Sequence, residues 1–158
     1  MGLTIREISP ANRRDVDRFI LMVEDVFADD PAFVPPLQIE RRDVFDPRKN
    51  PFWKYAEVAM FLAERDGQAV GRITAHINHV HDEKYGPGMG FFGFADFVDD
   101  PEVASLLAGE AERWLRSRGI KRIRGPVSFD MQEEAGFLVD GFEYPPYMMT
   151  GHSLPHCS

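Results

Sequence analysis

A single cysteine, Cys157, stands two residues from the end of the sequence, so neither a disulfide within the chain nor a cysteine-based zinc site can form. A reducing compartment is the expected setting. No run approaches the roughly 18 apolar residues that a membrane-spanning helix needs, so no membrane partner is expected. The opening Met-Gly-Leu-Thr-Ile-Arg lacks the apolar stretch of a secretory signal, and Arg6 stands where N-myristoylation needs Ser or Thr, so a cytoplasmic location is the expectation. Basic charge is also scarce: 18 Lys and Arg face 26 Asp and Glu, a formal net charge of −8, which repels a polyanion on average and leaves nucleic acid out of the expected partners.

Apolar material is plentiful. Hydrophobic residues make up 44% of the 158, and 13 are Phe, enough for one core and one domain over residues 1–158. Thr4 to Ile8 alternates as a short strand. Ser9-Pro10 offers a helix start before Val16, Phe19, Ile20, Val23, Val26 and Phe27 at helical spacing, with an end near Asp29-Asp30-Pro31. Five prolines between Pro31 and Pro51 predict a long loop with at most a short helix around Ile39 to Phe45. Glu57 to Arg65 and Val70 to Val80, separated by Asp66-Gly67, predict an antiparallel hairpin.

A glycine-rich link, Gly86 to Gly90, then leads into Phe91 to Val98, apolar enough for a central strand. Asp99-Asp100-Pro101-Glu102 opens a helix with Val103, Leu106, Leu107, Ala111, Trp114 and Leu115 on its stripe and Gly119 as its stop. Ile120 to Phe129 completes a βαβ unit with a parallel strand pair. A short helix over Met131 to Val139 and a further strand from Tyr147 to Thr150 are the remaining expectations.

Several stretches carry a resemblance: Asp30-Pro31 with Val34-Pro35-Pro36-Leu37, Asn50-Pro51-Phe52, Phe61-Leu62-Ala63-Glu64, Val70-Gly71-Arg72-Ile73, Gly90-Phe91-Phe92-Gly93-Phe94, Gly125-Pro126, and Leu138-Val139-Asp140-Gly141-Phe142 with Pro145-Pro146. Together with the order of elements they resemble the GNAT (GCN5-related N-acetyltransferase) superfamily, in a bacterial group of unassigned substrate. The resemblance implies an α/β (α+β) fold: a mixed, mostly antiparallel sheet with one parallel βαβ pair, flanked by helices. It also implies that relatives continue past this chain with a closing helix and strand. The implied reaction moves an acyl group from an acyl-coenzyme A thioester, acetyl-CoA or longer, to an amine, with no metal. The alternative is a non-catalytic binding or assembly module that keeps the fold.

Such a reaction needs backbone N–H groups to polarise the thioester carbonyl and a base for the amine proton. The central strand supplies the backbone from Phe94 and Ala95 to Phe97 and Val98, with Gly93 as the site of a bulge. Asp96, expected on one face with Phe92 and Phe94, is either the base or a carboxylate paired with an arginine. Glu133 and Glu134 correspond in the resemblance to an acidic pair that contacts the acceptor, or are plain surface acids.

The resemblance also places coenzyme A contacts at the helix start, on Glu102, Val103 and Ala104. Active acetyltransferases carry glycines in this loop, whereas here Asp99, Asp100, Pro101 and Glu102 bring acids and a residue without an N–H, so a pyrophosphate meets repulsion. His76, His79 and His81 sit near a strand end, His79 and His81 sharing a face, where two solvated imidazoles outrank a metal site. The basic run from Arg113 to Arg124 complements the helix C-terminus. A strand from Tyr147 would leave an open edge beside Phe142 and Tyr144, inviting a homodimer through the segment Tyr147 to Ser158; a frayed tail blunted by Pro145, Pro146 and Pro155 is the alternative.

Overall fold

The two-residue turn at Asp66-Gly67 dictates the first long-range contacts: both residues take positive φ (51° and 81°), the twist that matches an antiparallel hairpin. The computed structural model describes residues 2–158. In it the hairpin joins β2 (Ala56–Arg65) to β3 (Gln68–Asn78). Around it lie β1 (Leu3–Ile8), α1 (Arg13–Val26), α2 (Gln38–Val44), a 3₁₀ turn at Pro51–Lys54, α3 (His79–Tyr85), β4 (Met89–Phe97), α4 (Pro101–Arg116) and β5 (Arg122–Arg124). The sheet order is β1-β2-β3-β4-β5; the first three pairings are antiparallel, and β4 with β5 is parallel. The expected α/β architecture with one parallel βαβ pair is present.

Strand alternation divides the interior between the two faces. On β2, Met60 and Leu62 join Phe19, Ile20, Val23 and Phe45 beneath α1 and α2, while Ala59, Phe61 and Ala63 join Val103, Leu107, Ala111 and Leu115 beneath α4. Both helices start at a side-chain cap. Asn12 accepts from the Asp15 N–H, and Asp100 accepts from the Glu102 N–H with Pro101 in the first turn. The start of α1 thus falls at Asn12 and not at Ser9, whose hydroxyl accepts from the Ala11 N–H in a preceding turn. Its end at Val26 comes earlier than expected because Phe27 to Asp30 closes a turn of its own.

Three expectations are corrected by the structure. The strand expected over Ile120 to Phe129 shrinks to Arg122–Arg124, since Gly125-Pro126 follows and proline has no N–H for a ladder. Residues 131–139 form turns and not a helix, with Val127 bridging Ala135. Tyr147 to Thr150 is a turn and not a strand, and beyond it a 3₁₀ turn spans Pro155–Cys157. None of the described helices is long and apolar enough to cross a membrane.

A close approach governs the middle of β4. A Cβ on Gly93 would lie 2.0 Å from the Val127 carbonyl oxygen and 2.6 Å from its carbon, whereas one on Gly109 in α4 meets nothing within 4 Å. Gly93→Ala should therefore cost more than about 2 kcal/mol, and Gly109→Ala should stabilise by up to about 1 kcal/mol. Urea midpoints of the two variants check this; equal midpoints would contradict the packing described.

A candidate active site at the bulge of β4

Thr74 pairs with Gly93 and Arg72 with Asp96, so two residues of β4, Phe94 and Ala95, stand opposite Ile73 alone. This is a β-bulge, and Phe94 takes φ 43° within it. The bulge changes which face each later side chain occupies. Phe92 packs on the α4 side, Phe94 on the α1 side and Ala95 on the α4 side, so Asp96 shares a face with Phe94 but not with Phe92 as the alternation had suggested.

On the other edge of β4, ladder pairing with β5 ends at Phe91 opposite Arg124. Beyond it the Val127 N–H donates to the Phe92 carbonyl at 2.7 Å and the Phe94 N–H donates to Ser128 Oγ at 3.3 Å, after which the chain leaves the strand. The parallel pair therefore opens at the bulge.

A cavity of about 40 Å³ lies in that opening, lined by Phe94, Ala95, Asp96, Ser128, Glu134, His152 and their neighbours. Arg72 is buried at its base, donating through Nε and Nη2 to Asp96 Oδ2 (2.9 and 2.8 Å) and through Nη1 to the Phe19 carbonyl (2.9 Å). Burial draws the guanidinium below its ordinary pKa while Asp96 opposes the shift; a guanidinium stays charged in either case. Its central carbon, Cζ, lies over the Phe19 and Phe94 rings, 5.1 and 5.7 Å from their centroids.

Of the three acids singled out from sequence, Asp96 is thus bound to Arg72, Glu134 is bound to Arg41 of α2, which lies 5.5 Å above the Phe94 ring, and Glu133 stands exposed in the turn after Asp130. A third polar pair lies beside these: His152 Nε2 is 2.7 Å from Asp30 Oδ2, with side chains only 5% and 12% exposed. Phe97 and Val98 lie farther along the open edge. The Phe97 carbonyl accepts from His156 at 2.8 Å, and the Val98 N–H donates to the Val70 carbonyl.

The start of α4 is fully occupied by its own groups. Asp100 accepts from the Glu102 N–H, and its main-chain carbonyl accepts from the Ala104 N–H. Arg65 pairs with Asp100 and Glu102 and holds the Asp100 carboxyl below its usual pKa. Val103 is buried under the sheet. None of these amides is left facing outward for a phosphate.

The histidines separate. His76 is buried among Phe52, Phe91 and Phe129, whereas Asn78 caps α3, so His79 and His81 sit on a helix and not on one face of a strand. Of the basic run, Arg113, Arg116 and Arg118 pair with Glu110, Glu112 and Glu57, while Arg122 and Arg124 border a cavity of about 500 Å³ with Tyr85, Met89 and Phe91.

Sequence reasoning did not single out Arg41, Arg72, Ser128 or the Asp30–His152 pair. Asp30 and Arg72 do fall inside stretches that carried the resemblance, which was the available signal.

No protein-family model matches the chain. It is 42% identical over 144 residues to Protein YghO of Escherichia coli (strain K12), covering 91% of this chain and 37% of that protein. It is 42% identical over 139 residues to a bacterial ceramide synthase of Caulobacter vibrioides (strain NA1000 / CB15N), covering 87% of this chain and 36% of that one. The chain thus spans little more than a third of these curated relatives. Among solved structures it resembles a tandem GNAT protein from the clavulanic acid biosynthesis pathway, with TM-score 0.61, 12% identity, and coverage of 77% of this chain and 35% of that one. It also resembles AAC(6')-Iy in complex with the bisubstrate analogue CoA-S-monomethyl-acetylneamine, with TM-score 0.54, 18% identity and 80% of each chain covered.

Two measurements test these electrostatics. Arg72→Leu strands the Asp96 carboxylate and the Phe19 carbonyl and should cost about 3–5 kcal/mol, with more than half recovered when Asp96→Leu is added. Urea denaturation of both variants reads this, and no recovery in the double variant would contradict the pairing.

Burial pushes His76 down to about 3. An unfolded imidazole titrates near ~6.5, so as pH falls the unfolded chain binds the proton first. Stability from a neutral His76 is complete above that value and drains away toward about 3. His76→Leu should reduce the slope of stability against pH between about 6 and 4 by up to roughly 1.4 kcal/mol per pH unit. Equal slopes in the two proteins would contradict it.

Proposed function

The chain has the GNAT fold, and on that premise we propose that it is an N-acyltransferase domain that moves an acyl group from a coenzyme A thioester to an amine. The observation that carries the reading is the parallel β4–β5 pair that opens at the bulge, because an extended thioester arm needs a strand with one unpaired edge. The Phe97 carbonyl faces that edge, and Ala95, two residues earlier, faces the same way. These main-chain groups give the donor its hydrogen bonds, and the site now taken by His156 on Phe97 marks where an amide of the arm would sit.

The nucleotide end gains little from the start of α4, where Asp100 already caps the helix and Arg65 neutralises it. The helix start is therefore not the anchor. Phe94 and Ala95 border the thioester, while Asp96 and Glu134 set the charge around it through Arg72 and Arg41. Coenzyme A complexes among the similar structures support the donor class. The relative named as a bacterial ceramide synthase supports the acceptor class, since a ceramide is the amide of a long-chain amino alcohol. We assign the acceptor to that chemistry and the acyl group to the long-chain range.

Mixing the protein with hexadecanoyl-coenzyme A and sphinganine should release thiol and form amide in equal amounts, faster than with acetyl-coenzyme A. Neither thiol nor amide from either donor, together with no rise in melting temperature on adding either thioester, would overturn the reading.

A further inference from the structure

The two candidate acids that line the cavity, Asp96 and Glu134, are already engaged. Asp96 Oδ2 accepts two N–H groups of Arg72, and Glu134 is paired with Arg41. Each of these carboxylates is held in place by a guanidinium. The same cavity has one further wall with a different chemistry. His152 lines it together with Asp96, Ser128, Glu134 and the bulge residues Phe94 and Ala95.

The imidazole is held from behind. Asp30, in the turn after α1, lies 2.7 Å from Nε2, and the Phe27 ring packs 5.9 Å from the imidazole centroid. The neighbouring Ser153 hydroxyl accepts from the Leu138 N–H, which fixes the segment that carries His152. Asp30 accepts from Nε2, so in the neutral ring the lone pair is left on Nδ1, for which no hydrogen-bond partner exists among the described residues. A carboxylate that fixes the tautomer and steadies the imidazolium is the arrangement a general base requires.

We propose that His152, oriented by Asp30, takes the proton of the acceptor amine in this site. The proposal rests on the acyl-transfer reading. As the amine nitrogen bonds to the thioester carbonyl carbon, its N–H proton passes to Nδ1. The C–S bond then breaks with its electron pair on sulfur, and the thiolate recovers the proton from the imidazolium, leaving an amide, a thiol and neutral His152. The charged groups around the ring are Asp30 behind it, the Arg72–Asp96 pair from β3 and β4, and Glu134 with Arg41 from α2.

The test uses the full chain with hexadecanoyl-coenzyme A and sphinganine. His152→Asn should lower kcat by at least ~100-fold with KM within about threefold, and free imidazole should restore part of the rate in His152→Ala. Asp30→Asn should lower kcat by about tenfold or more with the protein still folded. A kcat for His152→Asn within about threefold of the parent, or no imidazole rescue in a folded His152→Ala, would overturn the proposal. Should the Asn variant fail to fold, His152→Gln serves in its place.

Absence of any turnover by the parent protein would instead defeat the acyl-transfer reading. The dyad is then judged by nitrogen NMR of the ring: a proton on Nε2 and a bare Nδ1, lost in Asp30→Asn, supports it, and a proton on Nδ1 overturns it.

Discussion

Two residues of β4 facing one of β3 is the constraint on which the site depends. Because Phe94 and Ala95 share Ile73 as their opposite, every side chain after Gly93 changes face, and Asp96 arrives above Arg72. The same irregularity turns the edge of β4 away from the ladder with β5, which ends at Phe91. Val127 crosses over Gly93 where any side chain would collide with its carbonyl. Packing, charge placement and the open edge thus follow from one extra residue in a strand.

The charges around that opening obey a simple rule: among the described residues, none is buried alone. Arg72 cannot leave its buried position uncompensated, so Asp96 and the Phe19 carbonyl are fixed with it. Arg41 brings Glu134 in from the segment after β5, and Asp30 brings in His152 from near the end of the chain. Three pairs from six separate places in the sequence therefore close around about 40 Å³ of space. The acids at the start of α4 follow the same rule, with Arg65 and the helix amides as their partners.

Local signals made much of the fold legible. Asp66-Gly67 announced the hairpin, and Asp100-Pro101 with Gly119 bracketed α4, since turn and cap chemistry is written in neighbouring residues. The bulge falls at Phe94 and Ala95, just past the Gly93 that the sequence marks for it, and a strict alternation puts Asp96 on the wrong face because it has no place for an extra residue. Asn78 carried a helix-cap signal for α3 that the strand-like run before it concealed. The segment after Arg124 and the Asp30–His152 pair were not legible, because contacts between residues 122 positions apart leave no periodic trace.

The central claim is that a coenzyme A thioester is held along the open edge of β4 and not at the start of α4. Amide hydrogen exchange, followed with and without a non-transferable acyl-coenzyme A analogue, tests it directly. The account predicts slower exchange across Ala95 to Phe97 when the analogue binds, with Glu102 to Ala104 unchanged. Protection concentrated at Glu102 to Ala104, with none along β4, would contradict it.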